Sequence, residues 1–308
     1  MMSTQLALIR RELWEHRSLY VVPAVLILIT TLISVTGQVA VSAAEREIDL
    51  AILGATNLGD AERAAAINVL LTVFSWIFIV TMGVVTIFYA LDALYAERRD
   101  KSILFWRSLP VTDWATVVSK LLTASLVIPV ITLAAIGIAH ILILTASSLW
   151  IGARGVDAFS LIWGAAPLFD NWAATLIVLL ALSVWVSPFV GWFLFVSGFT
   201  KRSPFLTAFL PLIVLPMLER ILIGTTLFTE MLLARMPFAV PIIRRVGEDE
   251  FAIESESELL DLAREGISLM SFIDIGRFLG SASVWIGVIV CGLFCTAAVY
   301  VRRYRDES

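Results

Sequence analysis

The 308-residue chain is 59% hydrophobic and only 16% charged, with a mean hydropathy of +0.93. A soluble domain is about 45–50% apolar and about 25% charged, so the composition excludes a soluble enzyme and a disordered chain. A net charge of −4 excludes a nucleic-acid-binding domain, and two cysteines, Cys291 and Cys295, cannot make a disulfide framework. What remains is an all-α polytopic membrane protein, here read as one domain over residues 1–308.

In chain order, residues 1–18 read as an interfacial helix. Leu6, Ile9 and Leu13 fall on one face and Arg11, Glu12 and Glu15 on the other, with Arg10 and Arg17 at the flanks. A membrane helix needs roughly 20 mostly apolar residues, and six segments supply them. They run from Leu19 to Val41, Ile67 to Leu94, within Leu121 to Trp150, Trp172 to Phe199, Phe205 to Gly224, and Leu279 to Val301. Val41-Ser42-Ala43 has the small residues of a cleavage site, but the apolar run before it is longer than a secretory core of about 7–15 residues. The first segment is therefore expected to be a retained span. Pro23, Pro129, Pro188, Pro211 and Pro216 are expected to kink or interrupt spans.

Lysine and arginine are more than twice as dense in one set of connections as in the other. The dense set is the N-terminus, 94–120, 199–204 and the C-terminus, so it is expected to be cytoplasmic, with both termini inside.

The 94–120 loop carries charges of both signs from Glu97 to Lys101, then an apolar-aromatic patch centred on Phe105 and Trp106. Pro110 stops the helix, and Thr112 can cap the next one with Asp113 at its positive end. The exposed patch needs an apolar cover, and the residues alone leave the membrane interface and a partner's groove both open.

The run Glu97-Arg98-Arg99-Asp100-Lys101-Ser102-Ile103-Leu104-Phe105-Trp106-Arg107-Ser108-Leu109-Pro110-Val111-Thr112, with Lys120 downstream, resembles the signature of type-2 ATP-binding-cassette (ABC) exporter permeases. In that family the run is the coupling helix between spans two and three. Six spans, both termini inside and an amphipathic helix before span one agree with it. The resemblance implies that Glu97, Arg98, Arg99, Asp100, Lys101, Ile103, Phe105, Trp106, Arg107, Ser108, Leu109 and Pro110 couple the chain to a separate ATPase subunit. It further implies two copies of that ATPase and a second permease chain, with a homodimer as the default. Surrounding lipid and a multi-pass place in the cell membrane (the bacterial inner membrane) complete the expectation. The chain has no Gly-x-x-x-x-Gly-Lys-Ser/Thr phosphate loop. It is accordingly expected to bind no cofactor and to be no enzyme itself, with ATP and Mg on the partner.

The connection over 227–278 departs from the family in its length. It holds ten acidic residues against five basic ones, including Glu248-Asp249-Glu250. Ser255 and Glu258 have capping-box spacing, which predicts a short helix to about Gly266, and an amphipathic stretch from Met231 to Met236 ends at Pro237. A solvated acidic cap, a gate for cations and a partner dock are all open readings.

Ionisable residues within spans are costly and are candidates for function. They are Asp92, expected to face water or Arg98, His140, and the adjacent Glu219 and Arg220, expected to pair across to other helices. Trp185, Phe189, Trp192 and Phe193 form an aromatic stripe, and Trp150, Trp163 and Trp172 read as interface anchors. Two histidines, His16 and His140, cannot make a multi-histidine metal site, and no hydrolase elbow or zinc-protease motif is present, which argues against an intramembrane enzyme. An apolar interior favours a hydrophobic or amphipathic exported substrate. The alternative is an ABC-type complex that transmits ATP-driven force to a membrane or periplasmic partner without flux.

Overall fold

Within hydrocarbon a backbone must satisfy its own N–H and C=O groups, which helices do internally. The apolar runs fold accordingly. The computed structural model describes residues 2–42, 54, 57–100, 111–243 and 268–304, and everything below concerns those residues. They are overwhelmingly helical. Among them there is no strand, only a single antiparallel bridge between Ile243 and Ile273.

The helices are α1 (Met2–Glu15), α2 (Ser18–Ser42), α3 (Asp60–Asp92), α4 (Tyr95–Arg99), α5 (Asp113–Leu122), α6 (Ile128–Gly152), α7 (Leu168–Trp185), α8 (Ser187–Phe199), α9 (Pro204–Leu222), α10 (Leu227–Leu233), α11 (Ile275–Gly280) and α12 (Ala282–Tyr304). Six helical stretches are long and apolar enough to cross a membrane: Ser18–Val39, Asp60–Arg99, Asp113–Gly152, Phe159–Trp185, Pro204–Leu222 and Ala282–Tyr304. The chain thus has the make-up of a multi-pass membrane protein. α5 and α6 form one rod through a π-helical turn at Thr123–Val127, placed just before Pro129, whose missing N–H a widened turn absorbs.

Two expectations are corrected here. The fourth span does not run unbroken from Trp172 to Phe199. Its long helix is Phe159–Trp185, the backbone breaks at Val186, and α8 continues as a shorter apolar helix with Pro188 in its first turn. Pro23, Pro211 and Pro216 interrupt nothing, because α2 and α9 continue through them.

α3 lies at the middle of the bundle, against α2, α6, α7, α8 and α9, while α2 packs along α6 and α8 along α12. The α8–α12 contact is close because of one glycine. A Cβ on Gly191 would stand 3.0 Å from the Cys291 carbonyl oxygen and 3.2 Å from its Sγ. Cys291 and Cys295 are both buried and free, and both belong to this core with Val190, Phe193 and Leu194. Gly191→Ala is expected to lower stability by about 1–3 kcal/mol through overpacking. Gly292→Ala, where a Cβ meets nothing within 4 Å, is expected to leave it unchanged. Thermal unfolding of the two variants in detergent checks this.

The aromatic stripe is packing rather than a lipid face. Trp185 and Phe193 are buried, and Trp192 donates its indole N–H to the Ala208 carbonyl at 3.1 Å.

Candidate functional site

The residues that open the 94–120 loop are sorted by α4 into three directions. Arg98 turns toward the end of α8, where it donates to the carbonyls of Ser197 and Thr200 at 2.6 and 2.7 Å, capping that helix. Arg99 and Asp100 lie on the outside and bond each other at 3.0 Å. Glu97 points inward and is 3% exposed. The turn into α4 is fixed by Ser197, whose Oγ accepts from the N–H groups of Leu94 and Tyr95. Of the two expected surroundings of Asp92, water and Arg98, it has the first: its side chain is 42% exposed and stands 3.9 Å from Arg99, while Arg98 is committed to the α8 carbonyls.

Glu97 is the meeting point of a buried charge cluster drawn from four separate stretches of chain. Lys120 on α5 places its Nζ 3.0 Å from Glu97 Oε1 and 2.8 Å from Glu12 Oε1 of α1. Arg11 reaches the same Glu97 oxygen at 2.9 Å, and Arg302, near the end of α12, bonds the other. Arg302 also holds Asp113 at 2.8 Å, and Thr112 caps α5 by accepting from the Ala115 N–H at 3.1 Å. Tyr89 donates its hydroxyl to Glu12 Oε2 at 2.9 Å, and His16 packs edge-on against the Tyr89 ring. Burial pushes the His16 imidazole below its usual range, outweighing the nearby Glu12, so it stays neutral.

Lys120 is fully buried and Glu12 is 1% exposed. Desolvation of this depth is expensive, and it is tolerated only because each charge has opposite charges and hydrogen bonds on it. A cleft of about 360 Å³ opens beside the cluster between Leu8, Arg11, Val111, Asp113 and Arg303, so the 94–120 loop rejoins the bundle next to the charges. Carboxylate oxygens of Glu12, Glu15 and Glu97 lie within 4.8 Å of one another. Lys120 lies between Glu12 and Glu97 and Arg11 between Glu15 and Glu97, so protein cations already occupy the positions a metal would take.

On α1 one residue departs from the expected division of faces, since Glu12, read as part of the polar face, is buried. Leu6 is 61% exposed and Trp14 is 69% exposed, while Leu8 and Glu12 turn into the bundle. The coupling residues Lys101, Ile103, Phe105, Trp106, Arg107, Ser108, Leu109 and Pro110 lie outside the described residues, as do the acidic run at 248–250 and the helix expected from Ser255.

A second polar group lies inside the bundle. His140 is fully buried. Its Nδ1 accepts the Trp172 indole N–H at 3.2 Å, which leaves the proton on Nε2, facing the Leu71 carbonyl at 3.1 Å and Ser75 Oγ at 3.3 Å. Next to it Asn171 donates to Asn68 at 2.8 Å and to Thr72 at 3.2 Å. Trp172, half-buried, is thus tied to α6 by its indole N–H. Glu219 reaches the next helix, α10, through its backbone rather than through an opposite charge. It accepts from Thr225 Oγ1 and the Phe228 N–H at 2.8 and 2.9 Å, fixing the turn into α10, while Arg220 is exposed. The amphipathic stretch expected at 231–236 is helical only in part, since α10 ends at Leu233.

Among the described sequence-derived candidates, Glu97 alone is brought into a buried site with other ionisable groups. Glu12, Lys120, Arg302, Asn68, Asn171 and Ser75 were missed as site residues. The available signal was the presence of Glu12 and Glu15 in a flank otherwise rich in arginine. Comparison with known proteins gave no match to a family model, to a curated protein or to a solved structure.

Proposed function

We propose that this chain is the transmembrane permease subunit of an ATP-driven ABC transporter, an exporter of a hydrophobic or amphipathic substrate, coupled to a separate ATPase subunit by the 97–112 segment. The observation that carries the reading is Glu97. The first residue of the segment that resembles a coupling helix is locked by Lys120, Arg11 and Arg302 to α5, α1 and α12.

A surface segment on which another protein pushes needs a stiff base, and buried, hydrogen-bonded ion pairs supply one. Force on residues 101–110 would reach the base of span three through Asp113 and Lys120, span six through Arg302 and α1 through Glu12. The positive-inside bias puts this end of the bundle on the cytoplasmic side, where ATP is. The paired permease and ATPase copies close the cycle: ATP-driven approach of the ATPases moves the two clusters, and the pathway between the permeases changes the side to which it opens.

The second reading, force transmitted to a membrane or periplasmic partner without flux, uses the same cluster. Reconstitution with the ATPase separates them. ATP-dependent movement of an amphiphile across vesicles is the result expected of an exporter. ATP turnover without flux supports the second reading, and the absence of ATP turnover contradicts both.

A further inference from the structure

α1 has one side on the bundle and one side bare. Leu8, Arg11 and Glu12 face inward, and Gln5 donates to the Ala115 carbonyl of α5 at 3.4 Å. On the other side Leu6 is 61% and Trp14 69% exposed, and Arg10 between them is exposed as well. Steps of four residues put Leu6, Arg10 and Trp14 on adjoining turns of one helix surface. Arg17, also exposed, follows in the two-residue turn between α1 and α2.

The two arginines give this stripe its charge. Neither meets a carboxylate among the described residues. The guanidinium of Arg10 stands over the Trp14 ring at 4.9 Å, so cation and aromatic surface are presented together. The acids of α1 are engaged elsewhere, Glu12 by Lys120 at 2.8 Å and Glu15 by Arg11 at 2.7 Å.

Chain connectivity puts the stripe at the edge of the membrane. Only His16 and Arg17 separate α1 from Ser18, where the first membrane-length stretch begins. Leu13 packs on the same core as Leu19, in the first turn of that stretch, together with Tyr89 and Ala124. Trp14 is next to Leu13, and so stands level with the start of the span, where tryptophan and arginine meet lipid headgroups. A stripe of exposed apolar side chains and unpaired guanidiniums suits a surface that is apolar below and anionic at its rim.

We propose that Leu6, Arg10 and Trp14 of α1, with Arg17, form a docking face for anionic lipid headgroups. An interfacial helix needs only a bilayer; the two unpaired arginines add selection of the lipid by its charge. The opposite face of the same helix holds Lys120 and Glu97, so a bilayer that fixes α1 also steadies the base of the 94–120 loop. The binding is a property of this chain alone and does not rest on the transporter reading.

The test uses the full chain in nanodiscs of phosphatidylcholine. Ala7→Cys, exposed beside the stripe, carries a bimane fluorophore, while Cys291 and Cys295 are buried and escape labelling. The discs receive small fractions of phosphatidylglycerol or phosphatidylcholine bearing a nitroxide high on the acyl chain. Nitroxide-phosphatidylglycerol is expected to quench at a mole fraction at least ~10-fold lower than nitroxide-phosphatidylcholine, since each basic residue at an anionic bilayer surface is worth roughly fivefold. Arg10→Gln combined with Arg17→Gln is expected to abolish that difference. Quenching by nitroxide-phosphatidylcholine persists, because Leu6 and Trp14 still hold the helix at the bilayer.

Equal quenching by the two lipids in the unaltered chain overturns the proposal, and so does a double variant that keeps the preference. Quenching by neither lipid also overturns it and gives the stripe to a protein, either a second copy or the ATPase. No ATPase is present in this experiment, so its failure leaves the transporter reading standing, and failure to find an ATPase leaves the lipid result standing.

Discussion

Lys120→Met is expected to lower the unfolding free energy by about 3–5 kcal/mol, the cost of leaving a buried charge uncompensated. The structure says which charge that is. Glu97 keeps Arg11 and Arg302 when Lys120 is lost, but Glu12 keeps only the Tyr89 hydroxyl and a neutral His16. Adding Glu12→Gln to Lys120→Met removes the orphan carboxylate and is expected to recover at least half of the loss. Thermal unfolding of the two variants in the same detergent measures this. A double variant no more stable than Lys120→Met would show that the cluster is not held by the Glu12–Lys120 pair.

The second large effect is expected at the tip of the loop rather than at its base. Replacing Phe105 and Trp106 together by alanine is expected to cut stimulation of the partner ATPase by ~10-fold or more. Aromatic anchors carry a disproportionate share of interface energy, and about 1.4 kcal/mol is already tenfold. The midpoint of thermal unfolding of the chain alone is expected to be unchanged, because the proposed role of the two aromatics is to meet the ATPase and not to pack the spans. Unaltered stimulation and unaltered ATPase binding would show that this segment is not the docking element.

The membrane-length helices were legible because a long apolar run has few other destinations. The Thr112 cap was legible because capping is decided within three residues. The break at Val186 was half legible: Pro188 announced it, but the sequence still read as one span, since hydropathy does not register a single broken turn. The charge cluster was not legible, because its logic is non-local. Glu12 is separated from Lys120 by more than a hundred residues and Glu97 from Arg302 by about two hundred, so each looked like an ordinary flanking charge. The burial of Glu12 on α1 was not legible for the same reason. Amphipathic patterning assigns carboxylates to water, and it cannot know that a buried lysine waits on another helix. Asn68 and Asn171 escaped notice because uncharged amides scarcely dent an apolar run, and they declare themselves only by pairing with each other.

We propose that this chain works by receiving force from an ATPase at the 97–112 segment. The most direct measurement is affinity purification of the tagged chain from its native membranes, with identification of co-purifying proteins and assay of ATP hydrolysis. A stoichiometric ATP-binding-cassette subunit with vanadate-sensitive turnover is the expected result. A pure chain without ATPase in several mild detergents would contradict it and return the 94–120 loop to the reading of a membrane-surface helix.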